Sequence, residues 1–411
     1  MSGTVIFKNA FLIDGKGGEP VPGAGVVIAG KKIVEILGTG KKYRVPKARV
    51  IDLKGKTLMP GLIDAHVHVG NIEVVMDRTA ALPPAVYVHR ATQNLETDVD
   101  LGFTTLRDAG GLDWGFRAAI EQGLIRGPRV LLSVNMVTQT GGHGDKRGCA
   151  REQQPPRNSI GMYPEVCDGP DEVRKGAREA LRRGADQVKV MADGGVASPS
   201  DKPGQWQYTV EELRAAVETA EAAKTYVMAH TYTPKAMQNC LHAGVRSLEH
   251  GNLLDEETAR MIAEKGAYLV PTITVFDILA KEGKGSGLDA FILSKLDFVR
   301  EGMFRALELA WRAGVKIGSG TDIIGPFQYL KGRELALKSQ VMGPMAAIVS
   351  ATRTNAELLF LDDQIGTVEA GKLADLIVMD GNPLKNMTLF EKGLQKIVLV
   401  MKEGRILKDL L

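Results

Sequence analysis

The sequence has little of three features that would assign it to a specialised class of protein. Its three cysteines, Cys149, Cys167 and Cys240, are too few and too scattered for a disulfide framework or a structural zinc knuckle. Lys and Arg total 52 against 49 Asp and Glu, a formal charge of +3, so the chain has no strong attraction of its own for nucleic acid or membranes. No run reaches the roughly 18 apolar residues of a membrane-spanning helix.

The first residues, MSGTV, also lack a basic region followed by an apolar one. We therefore expect no secretory signal, a cytoplasmic location, and neither a nucleic-acid nor a membrane partner. What the chain does have is length: 411 residues, 44% of them hydrophobic, are ample for one large core and an accessory domain.

The two ends of the chain share one pattern. Residues 4–53 and the last forty residues contain short runs rich in Val and Ile, separated by Gly and charged turns, which indicate strands and hairpins. Neither end has enough strands to bury a core alone. We therefore predict one small β-sandwich domain formed from residues 1–59 and 362–411.

Residues 60–361 alternate apolar, β-rich runs with amphipathic helical patterns, such as 171–183 and 209–224. Thr209 is predicted to cap the second of these helices, with Glu212 completing a capping box. The candidate strands end near His68, Asp108, Val134, Met191, His230, His250, Thr272 and Gly320. Eight strands alternating with helices predict a (β/α)8 TIM barrel, in which catalytic residues lie at the carboxyl ends of the strands.

Two histidines close the first of these strands. Residues 58–67 read as one apolar buried strand that ends in His66-Val67-His68. Side chains alternate along a strand, so both imidazoles leave the same face, where a metal ion would offset the cost of burying them. Two hydrogen-bonded core histidines explain the motif alone about equally well.

Chemically reactive residues also close later strands. Lys189 lies inside the apolar run 187–191, and the following strands end at His230, His250 and Asp322. A lysine in a strand is more often on an exposed edge, but a barrel has no edge, and a buried lysine must find anions or lose its proton. If these residues had no shared function, a separate structural explanation would be needed for the residue at each of these strand ends.

With these residues in order, the chain resembles the binuclear metal-dependent branch of the amidohydrolase superfamily over nearly its whole length. The motifs are residues 60–68 (PGLIDAHVH), the lysine strand, the two later histidines, 320–322 and 371–376. The resemblance implies two divalent ions, most often zinc, one bound by His66, His68 and Asp322 and the other by His230 and His250. It implies that Lys189, carboxylated by carbon dioxide, bridges both ions together with a hydroxide, and that Asp322 moves the proton.

Three loop segments, 138–145, 192–199 and 230–232, resemble a subgroup that releases a C-terminal amino acid from dipeptides or N-acyl amino acids. The subgroup includes prolidase-like enzymes, carboxypeptidases for basic residues and an ochratoxin-hydrolysing amidase. We take Xaa-Pro cleavage as the first choice and expect a small-molecule substrate and a homo-oligomer. By this resemblance His143 and Tyr232 contact the substrate carboxylate or the oxyanion; a loop-bracing hydrogen bond and simple packing are the respective alternatives.

Rival functions share this fold. A lactonase would use the same ligands, and a catalytically dead scaffold is possible, although all six ligand positions are filled. A mononuclear aminopyrimidine deaminase or imidazolone-type hydrolase would need a catalytic glutamate, and Glu249 precedes His250. Strand alternation predicts that Glu249 points away from the site that His250 faces.

Other charged residues have simpler interpretations. We expect Arg107 to form an internal salt bridge in the barrel, and His89 and His242 to be surface or packing residues. Lys146, Arg147 and Arg151 could attract anionic substrates or be simply solvated.

Overall fold

The computed structural model describes residues 3–40, 47–147 and 163–411. Cys149 and Arg151 lie outside these residues. The strands are β1 (Thr4–Leu12), β2 (Val21–Ala29), β3 (Lys32–Leu37), β4 (Arg49–Asp52), β5 (Thr57–Pro60), β6 (Leu62–Val67), β7 (Phe103–Asp108), β8 (Arg129–Leu132), β9 (Asn135–Thr138), β10 (Tyr163–Val166), β11 (Val188–Met191), β12 (Val227–Thr231), β13 (Ser247–His250), β14 (Tyr268–Val270), β15 (Lys316–Ile317), β16 (Leu376–Met379), β17 (Ile397–Lys402) and β18 (Arg405–Asp409).

Helices cover much of the middle of the chain. They are α1 (Met76–Ala80), α2 (Pro84–Asp100), α3 (Trp114–Glu121), α4 (Gly169–Arg182), α5 (Val210–Ala222), α6 (Pro234–Ala243), α7 (Glu256–Lys265), α8 (Ile273–Glu282), α9 (Ala290–Arg300), α10 (Met303–Arg312), α11 (Arg333–Met342), α12 (Pro344–Ser350), α13 (Arg353–Leu358) and α14 (Gly393–Lys396), with short 3-10 turns at Gly325–Leu330 and Met387–Leu389. The predicted capping box is present in α5, where Thr209 Oγ1 accepts from Glu212 N and Glu212 Oε2 accepts from Thr209 N.

Strands from both chain ends form one sheet in the order β18-β17-β16-β5-β1-β2-β3, with β4 beside β1. Their apolar side chains, among them Phe7, Val26, Leu58, Val378 and Leu399, share one buried cluster. The predicted fold, a barrel with a small β-sandwich formed from both chain ends, is confirmed. Both ends are needed because neither set of strands could bury this cluster alone. The exact domain limits at 59/60 and 361/362 stay a prediction.

The apolar run 58–67 is two strands, which corrects the prediction of one. Its first part, β5, pairs with β16 in the sandwich, and its second part, β6, pairs with β7 in the barrel. The chain crosses between the units at Gly61, where a Cβ would lie 2.2 Å from Thr104 Oγ1. Only a glycine fits so close an approach.

The barrel is built from parallel strands β6, β7, β8 with β9, and β11 to β15. Ala65 N donates to Ser319 O at 2.8 Å, which joins β6 to the segment after β15. The prediction that the third barrel strand ends near Val134 is wrong, because this strand consists of β8 and β9 with a kink between them. Val134 has a φ of +65°, after which β9 continues to Thr138 and pairs with β11.

Residues 334–347 form most of α11 and the start of α12, separated by Gly343. Leu335, Ala347 and Ile348 pack in a buried cluster with residues of β6 and β7. Among the described residues, no helix is both long and apolar enough to cross a membrane.

Candidate active site

The chemically reactive side chains gather at the carboxyl ends of the barrel strands. His66 lies in β6, Lys189 in β11 and His230 in β12, while His250 ends β13. His68 follows β6 by one residue, and Asp322 follows β15. All are buried except Asp322, which is partly buried. The barrel therefore brings together all six predicted ligands, as the strand-end argument requires.

His66, His68 and Asp322 form the tightest group. Asp322 Oδ1 lies 3.7 Å from His66 Nε2 and 3.5 Å from His68 Nε2. One potential ligand atom from each residue lies within 4.8 Å of the others. Two imidazoles and a carboxylate at this spacing can bind one divalent ion.

His230 and His250 adjoin this group. The ring centroids of His230 and His250 are 4.6 Å apart, and those of His66 and His250 are 5.1 Å apart. His250 Nδ1 is 2.7 Å from Thr272 Oγ1. The Nε2 atom of His230 is buried and has no hydrogen-bond partner among the described residues, a costly state unless another ligand completes it.

Lys189 is 1% exposed inside the barrel. Burial lowers its pKa to about 8, although Glu249 and Asp322 oppose the change. An amine with this pKa is neutral far more often than an ordinary lysine. Lys189 is therefore not an exposed edge-strand residue.

The imidazoles are held neutral. Burial, with a further contribution from Lys189, places the pKa values of His66, His230 and His250 well below the usual range, and burial lowers that of His68 to about 3. Neutral imidazole is the form that binds metal ions. Burial raises the pKa of Asp322 to about 7, while Lys189 acts in the opposite direction.

Three residues at the strand ends have left-handed backbones: His250 (φ +71°), Thr272 (φ +48°) and Asp322 (φ +52°). Such conformations are uncommon for residues other than glycine and concentrate at functional sites. At His250 the conformation breaks the strand alternation. As a result, Glu249 and His250 both face the barrel interior.

The prediction that Glu249 points away from the site is therefore wrong. Its Oε2 atom accepts a hydrogen bond from His66 Nδ1 at 2.7 Å. The internal salt bridge predicted for Arg107 is confirmed, since Arg107 Nη2 lies 2.9 Å from Glu249 Oε1. Sequence reasoning missed the partnership with His66 because it assumed regular β geometry through His250.

His143 and Tyr232 surround the histidine cluster. The His143 ring stacks on His230, with centroids 4.4 Å apart, and Tyr232 packs against His230 and His250 at 4.7 and 5.3 Å. The backbone N of His143 donates to Gln207 Oε1, whereas its ring Nδ1 is buried without a hydrogen-bond partner in the described residues. The loop is thus braced through the backbone, which leaves the ring available to a ligand.

Both residues line a cavity above the cluster. The apolar part of its wall comprises Met76, Met136, Met191, Val196, Ala197, Val275, Phe276, Leu279, Leu296 and Ile324. Lys146 also lines it, and its Nζ donates to His143 O at 3.2 Å. Arg147 is paired with Asp145 at 2.6 Å, and His89 and His242 are exposed, so none of these three belongs to the cavity.

Comparisons with known proteins show what the chain is similar to. Residues 57–407 match the Amidohydrolase family. Ochratoxinase from Aspergillus niger is 32% identical over 424 residues, covering 98% of this chain and 86% of its own length. A solved prolidase complexed with N-methylphosphonate-L-proline has a TM-score of 0.95 and 38% identity, covering 99% of this chain and 100% of its own. A Xaa-Pro dipeptidase with methionine in its active site has a TM-score of 0.89 and 30% identity, with the same coverage.

Proposed function

The chain belongs to the amidohydrolase family and is a hydrolase of amide bonds, and from this premise we propose that it is a binuclear amidase releasing a C-terminal amino acid. The proposed substrates are dipeptides or N-acyl amino acids, with Xaa-Pro as the first choice and ochratoxin-type amides as a second. The observation that carries the proposal is the cluster of four buried histidines, Lys189 and Asp322 beneath a largely apolar cavity.

The residues fit a pair of divalent ions. His230 Nε2 is a buried atom without a partner in the described residues, and the neighbouring imidazoles are neutral and crowded around one carboxylate. In the proposed arrangement His66, His68 and Asp322 would hold one ion, and His230 and His250 would hold the other. Lys189, as the carbamate, would be the ligand that completes both sites, and zinc is the expected metal, although this donor set accepts several ions.

When bound, the metal pair supplies a nucleophile at neutral pH and polarises the substrate carbonyl. The chain provides the proton transfer. The carboxylate of Asp322 takes the proton of the attacking water and delivers it to the leaving nitrogen, which must become an amine to depart.

The cavity wall supports an amino acid as the leaving group. His143 and Tyr232 are donors beside the cluster that can bind a carboxylate or an oxyanion, and Lys146 adds a positive charge at the same side of the cavity. Val275, Phe276 and Leu296 offer an apolar surface for a side chain or acyl group. A substrate with one anionic end and apolar substituents matches these walls.

The experiment is a mass-spectrometric hydrolysis screen of zinc-loaded protein in bicarbonate buffer. The panel contains Ala-Pro, Ala-Phe, Ala-Arg, N-acetyl amino acids, an ochratoxin-like amide, simple lactones and aminopyrimidines. We expect release of a free amino acid from the C-terminal side of at least one amide. Ring opening of lactones or ammonia release from pyrimidines, without amide cleavage, would overturn the assignment.

A further inference from the structure

Glu249 lies beneath the candidate metal site, fully buried in the barrel. Its Oε2 atom accepts hydrogen bonds from His66 Nδ1 at 2.7 Å and from Arg107 Nη2 at 3.1 Å. Its Oε1 atom accepts hydrogen bonds from Arg107 Nη2 at 2.9 Å and from the hydroxyl group of Ser247. Both carboxylate oxygens are therefore occupied by donors from the barrel interior.

We propose that Glu249, held in place by Arg107, is a positioning residue that orients His66 for metal binding. The inference rests on the proposed function, because it takes His66 as a metal ligand. An ionised carboxylate only accepts hydrogen bonds, so the proton of neutral His66 must lie on Nδ1. The Nε2 lone pair then faces Asp322, where the ion is expected.

Arg107 makes this arrangement possible. A buried carboxylate is costly unless it is paired and hydrogen-bonded. Arg107 supplies the pairing charge and is fixed in turn by further hydrogen bonds from Nε to Ala65 O and from Nη1 to Ser247 Oγ. The guanidinium thus holds the carboxylate rigidly against the His66 ring.

Two of the other histidines have orienting partners without a charge. His68 Nδ1 contacts Gly110 O, and His250 Nδ1 contacts Thr272 Oγ1, each at 2.7 Å. Both partners are uncharged groups, whereas a carboxylate partner raises the basicity of the ligand more strongly. Because its oxygens are already taken, Glu249 has a different role from the catalytic glutamate of a mononuclear deaminase.

The experiment measures zinc release from the full-length protein to a chromophoric chelator. Glu249→Gln is compared with wild type and with Glu334→Gln, a second buried glutamate whose hydrogen bonds go to Thr274. The double variant Glu249→Gln/Arg107→Met removes both buried charges, so it separates loss of the ion pair with Arg107 from loss of the charged acceptor for His66. The absorption spectrum of the cobalt-substituted protein reports the ligand geometry.

We expect Glu249→Gln to release zinc about 10- to 100-fold faster, with an altered cobalt spectrum. The double variant should also release zinc quickly, even where its melting temperature recovers, and Glu334→Gln should release it at the wild-type rate. Wild-type release in Glu249→Gln, or recovery of slow release in the double variant, would overturn this inference alone. A wild-type protein that retains no zinc would overturn the proposed function as well.

Discussion

The imidazole of His143 stacks on that of His230, with ring planes only 21° from parallel. Gly195 makes this stacking possible, since a Cβ at that position would lie 1.9 Å from His143 Nδ1. Gly195→Ala must therefore displace the His143 ring.

We expect Gly195→Ala to raise KM for amide substrates about tenfold or more, since about 1.4 kcal/mol of lost binding is a tenfold change. Steady-state kinetics and metal analysis test this. Gly38→Ala is the control, because a Cβ there meets nothing within 4 Å. Wild-type KM in Gly195→Ala would remove His143 from substrate binding.

Asp322→Asn should abolish most turnover. An amide oxygen can still contact an ion, but it cannot accept and return a proton, so kcat should fall by about 10²- to 10⁴-fold. Asp375→Asn is a matched change at a buried aspartate that pairs with Arg129 outside the cavity, and it should leave kcat unchanged. If kcat of Asp322→Asn is near wild type, another group moves the proton.

Phe276 should select substrates with a large apolar substituent. Phe276→Ala removes part of the cavity wall, and the lost burial of about 1.5–3 kcal/mol should lower kcat/KM at least tenfold for Ala-Phe. Ala-Gly, which lacks the substituent, should change little. Phe298→Ala makes the same change at a side chain that is 54% exposed and should affect neither substrate. Equal losses on both substrates in Phe276→Ala would contradict the assigned role.

The strand-end residues could be predicted from the sequence because two regularities constrain them. Side chains alternate along a strand, and the carboxyl ends of barrel strands meet at one face. His66, His68, Lys189 and His230 obey both rules. Their convergence in the structure therefore follows from the strand pattern once the barrel is predicted.

The remaining features depend on departures from regular geometry. The left-handed backbone of His250 brings the His250 side chain to the same interior face as Glu249, and the kink at Val134 extends the third barrel strand. Valine gives no signal of such a conformation, and the enrichment of histidine in it is too weak to identify one position in a sequence. Phe276 and Leu296 read as ordinary core residues of α8 and α9. Only the packing of these helices over the barrel shows that both side chains line the cavity.

If Lys189 is a ligand shared by two metal ions, its removal must change the number of ions that each chain retains. Wild type and Lys189→Ala are loaded with zinc in bicarbonate buffer, freed of excess metal and analysed by plasma mass spectrometry. Lys338→Ala is the matched control, since Lys338 is also fully buried but donates to Gly318 O and Ser350 Oγ. We predict two zinc ions per chain in wild type and in Lys338→Ala, and fewer than two, without turnover, in Lys189→Ala. Two ions and retained activity in Lys189→Ala would mean that Lys189 is not a ligand shared by two metal ions.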